Sequence, residues 1–399
     1  MSDASNAAAP NAPPSAPLTD LKVVVRASGV AAAYAARLLG VMGAEVTLLE
    51  PPQGSPLRRE PPFLDAAESV SALFAYLCAG VRSLVCDLGT AEGRAGLTAV
   101  LSEADILIDD TPLADRPGYG LDEAAVGARH PDLIHVSVLP FGATGPKAGW
   151  KAEEINLLHA SGEGNLLPNG LSIELFPERP PVKIYGHFAS LQGGLAAALG
   201  ALSALWMRGE VGGQYVDISS QDAALAVGAF AVQRHGDGSV EHRVERSFRY
   251  GGVLPCADGY VELLTLEQRQ WEALVDLLGR PDWAVDPALA DSLERSRQGP
   301  AINARIRAWA SERRVADIVA EGQAAGVPLA QYNTPLDVLR DPHERTRGLF
   351  APVAVEGAGV LDMLVAPFQF GGAPLHLRGG PPVLGDQGWA GRPAARAEA

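Results

Sequence analysis

The chain has 399 residues, of which 47% are apolar, and this is enough to build more than one compact core. Its formal net charge of -15 argues against a nucleic-acid partner, because phosphate backbones require a dense basic patch and no Lys/Arg cluster stands out. The three cysteines form no CxxC pair, so they favour a reducing, cytoplasmic location over a disulfide framework or a metal site.

The chain begins with an Ala-, Pro- and Ser-rich segment, residues 1–18, which we expect to be a disordered leader. This segment has neither the basic start nor the apolar stretch of a secretory signal. No apolar run elsewhere is expected to approach the ~18–20 residues that span a bilayer, so we expect no membrane association. A flexible tail is expected at residues 386–399.

Strand and helix patterns alternate from residue 19 to about residue 140, which is typical of a doubly wound α/β domain with a parallel sheet. The predicted strands are 21–27, 44–50, 83–88, 105–110 and 133–139. The predicted helices are 30–42, 69–77, 91–102 and one that starts at residue 122.

The first strand–helix junction invites comparison with dinucleotide-binding folds, since Glu50 ends the second strand where a ribose-binding acid would lie. The loop before the helix, RASGVAAAY, has Gly29 alone, whereas the GxGxxG fingerprint needs three glycines. A nucleotide-binding oxidoreductase is therefore the least favoured function.

Residues 180–220 carry the most informative pattern. A turn at Gly186 leads into a helix of small residues from about Ser190 to Met207, and a strand follows at 214–219. The Ala, Gly and Leu content predicts a helix that is buried on nearly every side.

The pattern then changes to a strand pair within 251–264, with helices at 268–278, 300–310 and 315–325. This order predicts a smaller α+β domain. The Pro- and Gly-rich end of the chain is expected to pack back on another part of the structure.

Several segments resemble those of family III CoA-transferases, and they follow the family's order over about residues 20–375. They are GAEVTLLEPPQGSPLR (43–58), HPDLIHVSVLPFGATGP (130–146), GGQYVDISSQDA (212–223), ADGYVELL (257–264), AGVPLAQYNTPLDVLRDPH (325–343) and RGLF (347–350). Each is a weak signal alone, but their shared order is specific.

The resemblance implies an α/β fold with a Rossmann-like large domain plus a smaller α+β domain, in a dimer of interlocked protomers. The large domain would comprise residues 19–225 and 330–385, and the small domain residues 226–329. Family members move CoA between carboxylic acids, so the expected ligands are coenzyme A or an acyl-CoA thioester and a carboxylic acid, with no tightly bound cofactor and no metal.

The family's nucleophile is an aspartate in the motif GHQADYQAGL, and an ungapped match to GHFASLQGGL (186–195) places Ser190 at that position. A carboxylate can pass through an anhydride and a CoA thioester, whereas a serine hydroxyl is un-ionised and forms an ester that thiolate does not readily reopen. We expect Ser190 to be an N-cap. The alternative is a serine nucleophile activated by His187.

The segment AEEINLLHASG (152–162) resembles the GHDINY stretch of the 2-methylacyl-CoA racemases, with Glu153 at the position of their catalytic histidine and Glu154 next to it. Racemisation needs a second base, and the partner aspartate is missing, so racemase activity is not expected. Glu153 or Glu154 remains a candidate general base. A simple acid in a first helical turn is the alternative.

Three arginines are candidates for binding the CoA phosphates, since a forked guanidinium suits them. Arg58 and Arg82 match family arginines, and Arg116 lies near a third basic position. The alternative for each is a solvated surface arginine. The loop DDTPLADRPG (109–118) replaces the family's ENF-x-PG loop and adds negative charge there.

Three functions remain open. In the favoured one, the chain is a CoA-transferase subunit without the nucleophilic aspartate, working with an Asp-bearing paralogue; whether the dimer is a homodimer or a heterodimer stays open. In the second, Glu153, His187 or Ser190 carries a lyase, hydratase or transferase reaction on a CoA thioester. The third is the oxidoreductase.

Overall fold

The computed structural model describes residues 16–166, 178, 183–228 and 250–386. These residues divide into two compact units, and the larger one contains residues 16–164, 183–228 and 341–386. The smaller unit contains residues 250–340 together with 165, 166 and 178. The predicted leader and tail lie outside the described residues, apart from residues 16–18 and 386.

Six parallel strands form the central sheet of the larger unit, in the order β3-β2-β1-β4-β5-β6. They are β1 (Lys22–Arg26), β2 (Glu45–Glu50), β3 (Arg82–Val85), β4 (Ile106–Asp109), β5 (Ile134–Leu139) and β6 (Tyr215–Ser219). This is the strand order of the Rossmann fold, and the predicted α/β class is confirmed. The order reverses between β1 and β4, and ligands bind outside the carboxyl ends of strands at such a point.

Helices cover both faces of this sheet. The helices of the two units in chain order are α1 (Val30–Val41), α2 (Ala72–Leu77), α3 (Ala91–Leu101), α4 (Arg116–Tyr119), α5 (Glu123–Arg129), α6 (Glu154–Ala160), α7 (Phe188–Val211), α8 (Ser220–Val227), α9 (Gln268–Leu277), α10 (Ser292–Arg297), α11 (Gly299–Ser311), α12 (Val315–Ala325), α13 (Pro335–Arg340) and α14 (Pro342–Thr346). Side chains alternate along β1, so Val23 and Val25 join the core with α1 and α7, whereas Val24 packs with Leu97 and Leu101 of α3.

Helix α7 lies close to α1 and α8 because it carries glycine where they meet. A Cβ atom at Gly194 would lie 2.5 Å from the carbonyl oxygen of Ala31, and one at Gly193 would lie 2.3 Å from Ser220 Oγ. The buried side chains of α7 are small, including those of Ala197, Ala201 and Ala204. The small-residue composition of α7 therefore follows from close helix packing.

The opposite face of α7 is exposed, with Leu195 55%, Leu199 65% and Trp206 88% accessible. The expectation of burial on nearly every side is therefore wrong. Among the described residues, α7 is also the one helix long and apolar enough to cross a membrane, which corrects the expectation that no apolar run has that length. Packing of its buried alanines in the core shared with α1 accounts for part of this apolar composition, and the exposed face accounts for the rest.

The smaller unit has a three-stranded antiparallel sheet in the order β7-β8-β9. Its strands are β7 (Gly252–Pro255), β8 (Tyr260–Leu263) and β9 (Leu329–Gln331). Helices α9, α11 and α12 share a core with this sheet that includes Trp271, Ile302 and Ile318. The predicted α+β composition is confirmed.

The end of the described chain returns to the larger unit. It adds the pairs β10 (Phe350–Val355) with β11 (Gly359–Leu364) and β12 (Gln369–Phe370) with β13 (Ala373–Pro374). Beyond them the chain reaches strand β3 at the edge of the sheet: the amide of Ser83 donates to Asp386 Oδ1 at 2.8 Å, and the amide of Gly80 donates to the carbonyl of Gly380 at 2.9 Å. The expected return of the chain end is confirmed.

Candidate functional site

A cavity of about 380 Å³ lies at the carboxyl edge of the central sheet, beside the point where the strand order reverses. The start of α1, the end of β5, helix α6 and the starts of α7 and α8 line it. Its polar side chains are those of Ser28, Glu60, Asp110, Glu153, Glu154, His187, Ser190 and Ser220. The three predicted catalytic candidates, Ser190, Glu153 and His187, are therefore brought together.

Ser190 is the third residue of α7, and His187 is the residue that precedes the helix. The Ser190 hydroxyl donates a hydrogen bond to Glu154 Oε2 at 2.7 Å, and the Ser190 amide donates to the same oxygen at 3.0 Å. An N-cap side chain accepts from a first-turn amide, whereas this hydroxyl donates. The N-cap interpretation of Ser190 is therefore wrong.

Glu154 caps α7 from a different helix. Its Oε1 accepts from the amide of Ala189 at 2.7 Å, while Oε2 accepts from Ser190. The carboxylate thus lies at the positive end of a 24-residue helix, where a negative charge is stabilised. Sequence reasoning named Glu154 with Glu153 as a candidate general base, and it did not predict that Glu154 caps α7. The one available signal was that His187, a poor capping residue, leaves the first-turn amides of α7 without a local acceptor.

Glu153 and His187 line the same cavity but do not share the hydrogen bonds that join Ser190 to Glu154. Glu153 is exposed and precedes α6, where its amide donates to Asn156 Oδ1 at 2.8 Å. His187 is partly buried, and within the described part of the chain no hydrogen bond joins its ring to Ser190. The pairing needed for a histidine-activated serine is therefore not formed in this structure.

Asp110, which directly follows β4, is a cavity residue that sequence reasoning did not single out. Its carboxylate accepts from the amide of Gly29 at 2.7 Å, from the amide of Ser28 at 2.8 Å and from the Ser28 hydroxyl at 3.0 Å. Burial raises the pKa of Asp110 to about 6, and the charge of Asp109 acts in the same direction, whereas the hydrogen bonds from Gly29 and Ser28 lower it. Its charge therefore changes in a mildly acidic range.

Replacing Asp110 with asparagine should alter how stability depends on pH. Because the folded-state pKa is raised, ionised Asp110 costs stability above pH 6, and this cost disappears as the pH falls toward the ordinary value of 3.8. Asp110→Asn carries no such charge, so its free energy of unfolding relative to the wild type should rise between pH 4 and pH 7. Urea unfolding at several pH values measures this difference, and a pH-independent difference would contradict the raised pKa.

Arg58 forms an internal ion pair. Its Nε and Nη2 donate to the two carboxylate oxygens of Glu50 at 2.7 and 2.6 Å, and its guanidinium lies 4.2 Å from the centre of the Phe74 ring. Glu50 is fully buried. Burial alone would raise the pKa of Glu50, but hydrogen bonds from Arg58, Ser55 and Ser83 hold it below its ordinary value. Glu50 is therefore engaged inside the protein and is not presented to a ribose.

The other two arginines also have protein partners. Arg116 is 2% exposed, and it donates to the carbonyl of Thr111, to Ser137 Oγ at 2.8 Å and to the Tyr215 hydroxyl at 3.0 Å. Arg82 is exposed and pairs with Glu45. None of the three predicted CoA-binding arginines lines the cavity, and their role in binding CoA stays a prediction.

The cavity is acidic. Among the described residues its lining includes four carboxylates, from Glu60, Asp110, Glu153 and Glu154, and neither a lysine nor an arginine. Within the same part of the chain, no group of three His, Cys, Asp or Glu side chains is placed to hold a metal ion. The N-termini of α1, α6, α7 and α8 also lie at this cavity, and each contributes the positive end of its helix dipole.

Comparison with known proteins identifies the family. The model of CoA-transferase family III matches residues 18–388. The chain is 32% identical over 78% of its length to a protein of Mycobacterium tuberculosis named as a probable CoA-transferase, and it spans 39% of that relative. It is 28% identical to the succinyl-CoA–L-malate CoA-transferase alpha subunit of Chloroflexus aurantiacus, with 86% of this chain and 80% of the relative covered.

A solved structure agrees with these sequence matches. The crystal structure of a CAIB/BAIF family protein from Brucella suis shares the fold with a TM-score of 0.80 and 30% identity, over 94% of this chain and 98% of that chain. The motifs that run from residue 43 to residue 350, the Rossmann-type sheet and the family model therefore lead to one assignment. The chain belongs to CoA-transferase family III.

Proposed function

We propose that this chain serves in the transfer of CoA between two carboxylic acids, with the acyl thioester bound in the cavity at the start of α7. The observation that carries this proposal is the placement of a carboxylate, Glu154, at that helix start and in the cavity wall. Helix N-termini stabilise anions, and CoA transfer proceeds through carboxylates and a thiolate. Because the Chloroflexus relative is named for succinyl-CoA, this thioester is the donor to test first.

In a first arrangement, the chain is one subunit of a two-chain enzyme whose partner supplies the nucleophilic aspartate. Ser190 supports this arrangement, because its hydroxyl donates to Glu154 and, among the described residues, forms no hydrogen bond with a histidine that could activate it as a nucleophile. The name of the Chloroflexus relative, an alpha subunit, supports it as well.

The exposed face of α7 also favours a partner chain. Leu195, Leu199 and Trp206 lie within about 40° of one another around the helix, at 100° per residue. An apolar stripe of this kind costs free energy in water, and burial against a partner removes that cost. We propose that a second family III chain covers this face, in a homodimer or a heterodimer of the interlocked type.

In a second arrangement, the chain uses its own carboxylate and turns over without an Asp-bearing partner. Glu154 supports this arrangement, because it places a carboxylate at the helix start that Ser190 leaves without one.

Purification of the chain alone and with an Asp-bearing paralogue separates the two arrangements. Each sample receives succinyl-CoA and a panel of mono- and dicarboxylic acids, and chromatography detects new acyl-CoA. We expect transfer to at least one acid. Transfer that needs the paralogue and survives Ser190→Ala supports the first arrangement, whereas transfer by the isolated chain supports the second. Absence of transfer in both samples would overturn the proposed function.

A further inference from the structure

We propose that Glu154 is the nucleophilic carboxylate of this chain, and that Ser190 is the donor that positions it. This inference rests on the proposed transfer of CoA and names the residue that carries it. It selects the second arrangement, because a chain with its own nucleophile does not need an aspartate from a partner.

The position of the Glu154 carboxylate is the first support. It accepts hydrogen bonds from the amides of Ala189 and Ser190, in the first turn of α7, at 2.7 and 3.0 Å. The motif resemblance matches the family's aspartate to Ser190, which lies in the same turn. Glu154 extends from α6 and therefore brings a carboxylate to the helix start from a different element, inside the cavity wall.

The hydrogen bonds leave Glu154 one oxygen with which to attack. A carboxylate offers about four acceptor positions, two on each oxygen. Among the described residues, two donors reach Oε2, the amide and the hydroxyl of Ser190, and one donor, the amide of Ala189, reaches Oε1. Oε1 therefore keeps one free lone pair that can attack an acyl carbon, whereas both acceptor positions of Oε2 are occupied by hydrogen bonds.

The first half of the reaction needs no partner residue. Glu154 Oε1 attacks the carbonyl carbon of the acyl-CoA, the C–S bond breaks, and CoA leaves as thiolate with the electron pair. The product is a mixed anhydride between Glu154 and the acyl group. The thiolate then attacks Cδ of Glu154, the C–O bond of the anhydride breaks, and the donor acid leaves as its carboxylate.

The second half reverses these steps with the acceptor acid. The acceptor carboxylate attacks Cδ of the glutamyl-CoA thioester and releases thiolate, which gives a new anhydride. The thiolate then attacks the acceptor's acyl carbon, so the new acyl-CoA forms and Glu154 leaves as a carboxylate. Over the cycle no water, proton or electron is consumed.

Ser190 has a defined part in the steps at Cδ. Negative charge grows on Oε2 when thiolate or carboxylate adds to Cδ, and the Ser190 amide and hydroxyl lie 3.0 and 2.7 Å from this oxygen. They form an oxyanion hole. An aspartate at this position would set a second carboxylate against Glu154 and disfavour its ionisation, so a serine suits a nucleophile supplied by α6.

Trapping of the intermediate tests this assignment in the full chain. The protein is incubated with succinyl-CoA, hydroxylamine converts an activated carboxyl group to its hydroxamate, and peptide mass spectrometry locates the product. We expect the hydroxamate on Glu154 in the wild type. Glu154→Gln should carry none and should lose transfer activity by more than about 10³-fold, as expected for loss of a nucleophile.

Three further variants make the test specific. Ser190→Ala should keep the hydroxamate on Glu154 but lower kcat about 10²-fold, with little change in KM, because it removes an oxyanion donor. The double variant Glu154→Gln/Ser190→Asp should regain transfer, with the hydroxamate moved to position 190. Glu210→Gln, exposed near the far end of α7, is the matched control and should behave as the wild type. Thermal unfolding checks that each variant is folded.

A hydroxamate on another residue, or its absence from Glu154 in the wild type, would overturn the assignment. Transfer that persists in Glu154→Gln would do the same. Where the wild type transfers CoA and Glu154 stays unmodified, the assignment alone fails. Where neither the isolated chain nor its complex with the paralogue transfers CoA, the proposed function itself fails.

Discussion

Replacing Arg58 with methionine is expected to lower the free energy of unfolding at pH 7 by about 3–5 kcal/mol, the usual effect of removing one partner of a buried ion pair. Glu50 is fully buried, and each of its two carboxylate oxygens accepts a hydrogen bond from the charged guanidinium of Arg58. Without the guanidinium, the Glu50 carboxylate keeps hydrogen bonds only from the neutral donors of Ser55 and Ser83, so its negative charge is buried without a positive partner. Urea unfolding measures the loss.

The loss should depend on pH in a defined direction. In the wild type the pKa of Glu50 is lowered, so its stabilising contribution is complete above the ordinary pKa of 4.5 and is lost as the pH falls through the lower folded-state value. In Arg58→Met, burial without the partner raises the pKa of Glu50. The difference between the two proteins should therefore be largest at neutral pH and should shrink toward pH 4.

Arg59→Met is the matched control, because Arg59 is the exposed neighbour of Arg58 and should change stability by less than about 0.5 kcal/mol. The family loop predicts instead that Arg58 binds CoA phosphates. A variant with unchanged stability and a large rise in the Kd for CoA would contradict the structural role of the ion pair and support that prediction.

Replacing Gly194 with alanine is expected to cost about 1–3 kcal/mol of stability, the range for overpacking a close contact. The new methyl group would lie 2.5 Å from the carbonyl oxygen of Ala31, and this backbone atom of α1 cannot move without its helix. Helix α7 must therefore shift against α1. Since both helix starts line the cavity, we also expect kcat/KM for CoA transfer to fall about 10²-fold, as for a displacement of about 1 Å at a reacting centre.

Gly209→Ala, in the last turns of the same helix, separates packing from helix propensity. A Cβ atom there has no atom within 4 Å, so alanine should stabilise the protein by up to about 1 kcal/mol. If both glycine variants stabilise the protein, the close approach of α1 and α7 is not a constraint.

The sheet was predictable because its strands are buried on both faces. Continuous apolar runs such as Val23–Val25 and Ile106–Ile108 are typical of parallel strands and were located within a residue or two. Strand β3 is shorter than predicted, since the pattern continues to Leu88 although pairing ends at Val85. The amide of Cys86 still donates to the carbonyl of Glu50 at 2.7 Å, and beyond it buried Leu88 continues the apolar pattern into the core outside a strand.

The sequence predicted which residues form part of the candidate site, but it did not predict the hydrogen bonds between them. The family motif located Ser190 and His187, and helix periodicity placed them at a helix start. The start of α7 depends on Glu154, which lies 36 positions before its hydrogen-bond partner Ser190, and no local pattern reports such a bond. Arg116 shows the same limit, because its partner Tyr215 follows it by 99 positions.

The chain end that hydrogen-bonds to β3 has a consequence for biosynthesis. The last strand of the central sheet, β6, ends at Ser219, so all six strands are synthesised before residues 250–340 of the smaller unit. The segment that hydrogen-bonds to Gly80 and Ser83, residues 380–386, is synthesised after them. An uncovered edge strand is a template for pairing with other chains. The nascent polypeptide therefore carries an open edge while the smaller unit is translated, and we expect chaperone binding to be strongest in that interval.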